Sequence, residues 1–408
     1  MKILAIETSC DETAIAVIEG WGGFTSPTFG ILSNAVASQA RVHSKWGGVV
    51  PNLARREHER NLSLVLKAAL MKGKLMFLKP RPASAPLTNQ KIQKIKTFLE
   101  HEPELFRRFK QSILPLAPPS VDAIAVTYGP GLEPALWTGI NFAKALGALW
   151  DKPILGINHM EGHIVAALLN TNIKSPRLRQ TKRGRKKSNI AGKNKKAQST
   201  NITFPALALL VSGGHTELVL IKKWLDYKVI GETRDDAAGE VFDKVARMLQ
   251  LGYPGGPEIA RVARKGNKNA IPFPRPMIHS QSLDFSFSGL KTAVLYYLRD
   301  HPAYNKNDVA ASFQESVIET LIAKTARAVK THKAASLILG GGVAANAELR
   351  KQLFYKRKAM HKGLRLFLPK KQLTTDNAAM IGAAAYFYAL KKKFANPQQL
   401  HAQGNLRL

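Results

Sequence analysis

Apolar positions along the chain fall into short runs broken by polar, glycine-bearing turns, with longer helical stripes between them. Residues 2–7 (KILAIE) and 14–19 (AIAVIE) flank a polar turn and predict a β-hairpin. Residues 51–70 carry Leu53, Leu62, Leu66 and Leu70 at helical spacing. Residues 121–127 (VDAIAVT) read as a buried strand, followed by Gly129-Pro130-Gly131 and a helix through Ala135 to Leu149. Residues 206–211 (ALALLV) and 217–221 (ELVLI) predict a second hairpin, around SGGHT. The run 336–339 (SLIL) enters Gly340-Gly341-Gly342 and a helix from Asn346, and a last helix is predicted over 376–390. Strands alternating with helices, with glycine-rich turns at the strand ends, indicate an α/β architecture.

The theme occurs twice: hairpin, then strand, glycine-rich turn and helix. The repeat predicts two similar lobes with a ligand cleft between them. The lobes are expected at 1–165 and 205–375, with a closing helix over 376–395. Two segments interrupt the theme. Residues 72–120, rich in Pro and Lys, read as an insertion with a helix around 90–99. Residues 172–200 hold eleven Lys/Arg and no Asp or Glu. Such a segment cannot bury enough apolar surface to offset its ordering entropy, so a basic flexible loop is expected.

Composition narrows the class. Hydrophobic residues make up 45% of the 408, as in globular proteins. The single cysteine, Cys10, excludes a disulfide framework and a Cys-rich zinc site. No apolar run reaches 18 residues, so no membrane span is expected. The opening MKILAIETSC lacks a charged stretch followed by a long apolar one, so no signal peptide and a cytoplasmic location are expected. Lys+Arg is 61 against 28 Asp+Glu, a net charge of +33. A field of that sign attracts polyanions, and lysine-rich blocks track phosphates without reading sequence.

The densest candidate chemistry is His159-Met160-Glu161-Gly162-His163, which puts two imidazoles at i and i+4 on one helix face. The pair needs another ligand to hold a metal. Taken alone it equally describes a helix with two partly exposed histidines. Asp376, in TTDNAA, sits at a predicted helix start, where it is either a capping acid or a carboxylate that faces the cleft. The string is not the zincin protease motif, because Glu161 follows His159 by two residues and so turns to another face. Ser212-Gly213-Gly214-His215-Thr216 is a turn whose amides can approach an anion, or an ordinary tight turn. The GGGVAAN string ends a strand and opens a helix, a position that suits a nucleotide phosphate. Asp243 is a candidate for binding sugar hydroxyls, with a surface neighbour of Lys244 as the plainer alternative. Pro254-Gly255-Gly256-Pro257 is a rigid turn that could press on a flat base. No Walker A string occurs, so this is not a P-loop protein.

Taken in order, ETSCDET, GGVVP, HMEGH, SGGHT, DDAAGEVFDK, YPGGPE, DFSFSGLKT, GGGVAAN and TDNAAMIGAAAY resemble the TsaD family across residues 1 to about 390. That family transfers threonylcarbamoyl groups to tRNA and was once labelled an O-sialoglycoprotein endopeptidase family. The resemblance implies the two-lobed actin/Hsp70/sugar-kinase (ASKHA) fold. It implies His159, His163 and Asp376 as ligands of one divalent metal, iron or zinc. It implies Leu210, Val211, Ser212, Gly213, Gly214, Asp243, Gly256 and Asn346 as substrate-binding positions, with Asp11 a candidate catalytic or positioning residue. It implies tRNA and threonylcarbamoyl-AMP as substrates, ATP or ADP as further adenylate ligands, and TsaB- and TsaE-like companion proteins. A sugar kinase or ATPase of the same fold is the alternative, with a metalloprotease less well supported. The insertions at 72–120 and 172–200 are longer and more basic than the family pattern leads one to expect.

Overall fold

A computed structural model describes residues 1–75, 87–169 and 202–408, so the basic loop expected at 172–200 lies outside the described residues. Five strands form the first sheet: β1 (Lys2–Glu7), β2 (Glu12–Trp21), β3 (Thr28–Ser38), β4 (Ala123–Gly129) and β5 (Ile154–Asn158). The second holds β6 (Ala206–Val211), β7 (Thr216–Lys223), β8 (Asp226–Glu232), β9 (Ser336–Gly340) and β10 (Arg365–Phe367). Their orders are β3-β2-β1-β4-β5 and β10-β9-β6-β7-β8. Renumbered from its own first strand, the second order is the first one in reverse listing. The pairing senses also match. Each sheet has two antiparallel pairs on its hairpin side, and β1–β4, β4–β5, β6–β9 and β9–β10 are parallel. The repeat read from the chain is thus a repeat of topology, and the molecule is a two-lobed α/β protein of the actin/sugar-kinase type.

Strand alternation distributes side chains among three cores. Leu4 and Ile6 of β1 face an outer core with helices Pro51–Lys72 and Glu133–Trp150, while Ile3 and Ala5 face inward. Leu207, Leu209 and Val211 of β6 face the other outer core, while Ala206, Ala208 and Leu210 face inward. The inward faces of both sheets meet in one central core. Helices His159–Ala166 and Ala378–Leu390 fill that core between the lobes.

The final helix therefore belongs to both lobes. It lies against the first sheet so closely that a Cβ on Gly382 would come within 2.9 Å of Ile18 Cγ1. Beyond it the chain returns to the first lobe: Ala395 N donates to Ile154 O (2.8 Å) and Gln403 N to Tyr128 O (2.8 Å). The 72–120 insertion contributes helices Asn89–Phe98 and Pro103–Ser112, whose Ile95, Leu105 and Phe109 join the first outer core.

Candidate metal centre and substrate cleft

Three asparagine N-caps set the framework of the site. Asn158 Oδ1 accepts from Met160 N (2.8 Å) and Glu161 N (3.4 Å), starting helix His159–Ala166 with His159 in its first turn. Asn377 Oδ1 accepts from Met380 N (3.2 Å), starting helix Ala378–Leu390. Because Asn377 is the cap, Asp376 stands just outside the helix and its carboxylate is free to face inward. Asn346 starts helix Ala347–Met360 through Glu348 N and Leu349 N (3.0 Å each).

Gly162, a weak helix former by composition, has a packing reason. A Cβ there would lie 2.8 Å from Ile381 Cδ1 and 3.1 Å from Met380 Cγ. Its absence lets the two helices approach closely enough to join their termini. His159, His163 and Asp376 then offer two nitrogens and one oxygen, all within 4.8 Å of one another. Asp376 Oδ1 lies 3.4 Å from His159 Nε2 and 3.2 Å from His163 Nε2, and the rings meet edge-on at 4.6 Å.

Behind this group stands Glu7, at the end of β1. Its Oε2 lies 3.1 Å from His159 Nδ1 and accepts from Thr127 Oγ1 (2.5 Å), while Oε1 accepts from Ser9 N (2.6 Å). Ser9 Oγ is also 3.1 Å from His159 Nδ1. A carboxylate on the far ring nitrogen fixes the imidazole so that Nε2 faces Asp376, the arrangement that commonly orients histidine ligands.

The electrostatics favour a positive charge at this point. Burial opposes the charge on Asp376, but His159 and His163 hold it well below the usual carboxylate range. Burial likewise opposes Glu7, and His159 outweighs it, lowering Glu7. Burial works against a His159 cation, yet Asp376 and Glu7 push that histidine well above its ordinary value. His163 is lowered by burial. Neither of its ring nitrogens has a hydrogen-bond partner, although both are buried. His163 Nε2 stands 3.2 Å from Asp376 Oδ1 without a well-aligned hydrogen bond between them, an arrangement compatible with two ligands that face one cation. The two-nitrogen, one-oxygen donor set fits iron or zinc.

The remaining sequence candidates come from the β1–β2 turn, the end of β6 and the turn after it, helices Ala238–Met248 and Gly255–Ala263, and the Asn346 cap. Asp11 ends the β1–β2 turn and Glu12 opens β2; burial, with Asp376 and Asp11 nearby, pushes Glu12 up to about 10. Glu7, Ser9 and Glu12 had no role assigned from sequence, though all three sit in the ETSCDET string. The SGGHT turn joins β6 to β7 and is closed by Ser212 N to His215 O (2.8 Å) and His215 N to Ser212 Oγ (3.0 Å). Burial and the nearby His159 and His163 push His215 down to about 4. Gly213, Gly214, Gly256 and Gly342 face open space, with no atom within 4 Å of where a Cβ would stand. The Leu210 and Val211 side chains are fully buried in opposite cores, so only their backbone can reach a ligand.

Two candidates have structural employment. Asp243 Oδ1 accepts from Gly255 N (2.7 Å) and so anchors the N-terminus of helix Gly255–Ala263, so the PGGP string expected to be a rigid turn instead opens a helix; Asp243 is no partner of Lys244, which pairs with Asp236 and Glu240. Asn346 spends Oδ1 on its cap and Nδ2 on Gln314 Oε1 (2.8 Å). The acids of DDAAGE hold the DFSFSGLKT string: Asp235 accepts from Ser286, Phe287 and Ser288, and Asp236 pairs with Lys291 (2.6 Å). At one edge the lobes touch where Arg247 donates to Gly47 O. Glu161 is turned away from the group and accepts from Tyr388 Oη (2.9 Å), so it does not stand where a zincin base stands.

A family model described as TsaD, tRNA N6-adenosine threonylcarbamoyltransferase, matches residues 30–79, 108–201 and 190–383. A protein of that name from Moorella thermoacetica is 41% identical over 100% of this chain and 97% of its own length. One from Clostridium perfringens is 40% identical over 100% and 98%. Among solved structures, HypF of T. kodakarensis aligns with 73% of this chain and 45% of its own, at 12% identity and a TM-score of 0.47. ROK hexokinase of Thermus thermophilus aligns over 96% and 100%, at 13% and 0.40.

Proposed function

The chain belongs to the tRNA N6-adenosine threonylcarbamoyltransferase family, and we propose that it moves a threonylcarbamoyl group from threonylcarbamoyl-AMP to tRNA. The acceptor is the exocyclic amine of the adenosine 3′ of the anticodon, in tRNAs that read ANN codons. The observation that carries the metal-dependent form of this reading is the convergence of His159, His163 and Asp376, with Glu7 orienting His159 from behind.

The adenine amine is a weak nucleophile because its lone pair is delocalised into the ring, so the donor must be activated. In the mixed anhydride, a carbon–nitrogen bond to the adenine forms and the bond to AMP breaks; the amine proton leaves as AMP departs. His159, His163 and Asp376 would hold one iron or zinc ion, which when bound supplies Lewis-acid polarisation of the carbamoyl carbonyl. The uncrowded Gly213-Gly214 turn suits the phosphate, and Gly256, in the first turn of the helix that Asp243 anchors, suits the adenine side. Asp11, on the loop facing them, positions the acceptor or takes its proton. Most of the rate gain would come from positioning and charge stabilisation. TsaB- and TsaE-like companions and ATP or ADP belong to the same reading, as does action in the cytoplasm on its tRNA. Among the described residues no helix is long and apolar enough to cross a membrane.

The test is incorporation of labelled threonine into unmodified tRNA, with a donor-forming enzyme, ATP, bicarbonate and the companions present. Label that vanishes with His159→Ala supports the transferase and its metal group together. Full transfer by a metal-free His159→Ala protein would remove the metal from the mechanism. Absence of label from the wild type, with donor synthesis confirmed, would turn attention to sugar-kinase activity.

A further inference from the structure

Residues 349–375 leave the cleft and return to it. They begin on the helix that Asn346 caps and end immediately before Asp376. Over that excursion there are nine Lys/Arg and no Asp or Glu. In a chain this basic, a lysine-rich helix alone is an ordinary solvated face. Here the cations surround aromatic rings that no core uses: Phe354 is 50% and Tyr355 71% exposed. The rings meet edge-on at 5.7 Å, and the Arg357 guanidinium stands 3.8 Å over the Phe354 ring. Lys356, Lys358 and Lys362 are exposed beside them. Helix rise places Tyr355 about 14 Å along the axis from the Asn346 cap, a span that a few nucleotides cover.

Resting on the function proposed above, we infer that the outer face of helix Ala347–Met360, with the Lys362 turn, docks the tRNA whose adenosine enters the cleft. The lysines and Arg357 meet backbone phosphates, and Phe354 and Tyr355 offer planes on which an unpaired base stacks. Cations in this density with two exposed rings suit a polyanion that carries flat bases. A protein partner would have to bring a matching acidic surface to them. The docking is blind to sequence and supplies affinity; the cleft supplies the choice of adenosine.

The experiment measures binding of unmodified tRNA to the full chain across a salt series. Two variants are compared with the wild type: Lys356→Gln/Lys358→Gln/Lys362→Gln, and Phe354→Ala/Tyr355→Ala. The lysine variant is expected to flatten the log–log salt slope by about 2–3, at roughly 0.7–0.9 for each phosphate it no longer neutralises. The aromatic variant is expected to weaken binding by roughly 5- to 100-fold with the slope unchanged. A triple Lys→Arg variant should keep the wild-type slope, which separates the removal of charge from a failure to fold. Wild-type affinity and slope in both variants would overturn the surface while leaving the enzyme's function intact. A wild type that binds no tRNA at any salt would overturn the function and this surface with it.

Discussion

His58 Nε2 donates to the carbonyl of Cys10 across 3.0 Å, tying helix Pro51–Lys72 to the turn that carries Asp11. With Nε2 the donor, Nδ1 accepts, from Thr13 Oγ1 (2.8 Å) and Gln39 Nε2 (3.3 Å). Gln39 Oε1 in turn accepts from His43 Nε2 (3.1 Å), and His43 Nδ1 from Val50 N (3.3 Å). All four side chains are buried, so the chain of bonds fixes the turn from below the cleft.

This network makes the protein sensitive to acid. Burial lowers His58 to about 4, from an ordinary 6.5. The unfolded chain therefore binds more protons than the folded one between those values, and stability falls as pH drops from about 6.5 towards 4. His58→Gln should flatten this fall while costing roughly 1–3 kcal/mol at pH 7 through the bonds it removes. Thermal melts from pH 7 to 4.5 test it; a variant with the wild-type slope would remove His58 as the titrating group.

Glu7→Gln keeps the size of the side chain and removes the charge behind His159. Metal affinity is expected to drop roughly 10- to 100-fold, the usual cost of losing a carboxylate that orients a ligand histidine. Competition with a chelator of known strength measures this directly. Unaltered affinity would reduce Glu7 to a buried acid held by Ser9 and Thr127.

Asn377→Ala should cost about 1 kcal/mol, as N-cap losses do, and should also loosen the metal although Asp376 remains. Asn377→Ser restores a cap and should recover both. Melting and metal titration on the pair separate the cap from the ligand. A loss of stability with metal binding untouched would show that Asp376 is positioned independently of the cap.

The glycines of GGGVAAN should behave differently. Gly341 has φ +86°, and a Cβ there would lie 2.3 Å from Val211 O, so Gly341→Ala is expected to cost roughly 2 kcal/mol or more. Gly342 meets nothing within 4 Å, so Gly342→Ala should melt like the wild type and affect only ligand binding. Equal melting of the two variants would contradict the backbone account.

Both hairpins, β4, β9, the helices near 51–70, 135–149 and 376–390 and the repeated order were legible from residue spacing, because period and glycine-rich turns act locally. So was the pairing of His159 with His163, since four residues make about one helical turn. Strands β3, β5, β8 and β10 and the long helix Lys306–Thr331 were not. Spacing left Asp376 undecided between cap and ligand, and only the resemblance made it a ligand. What frees it is that Asn377, not Asp376, caps the helix, and what brings it to the histidines is the Gly162 contact with Met380 and Ile381. Glu7 as the partner of His159, the Asp235 and Asp236 ties to residues 286–291, and the return of residues 395–408 to β5 were equally hidden. Local periodicity says which face of an element is apolar. Which faces meet depends on close packing between residues far apart in sequence, and only the folded chain decides that.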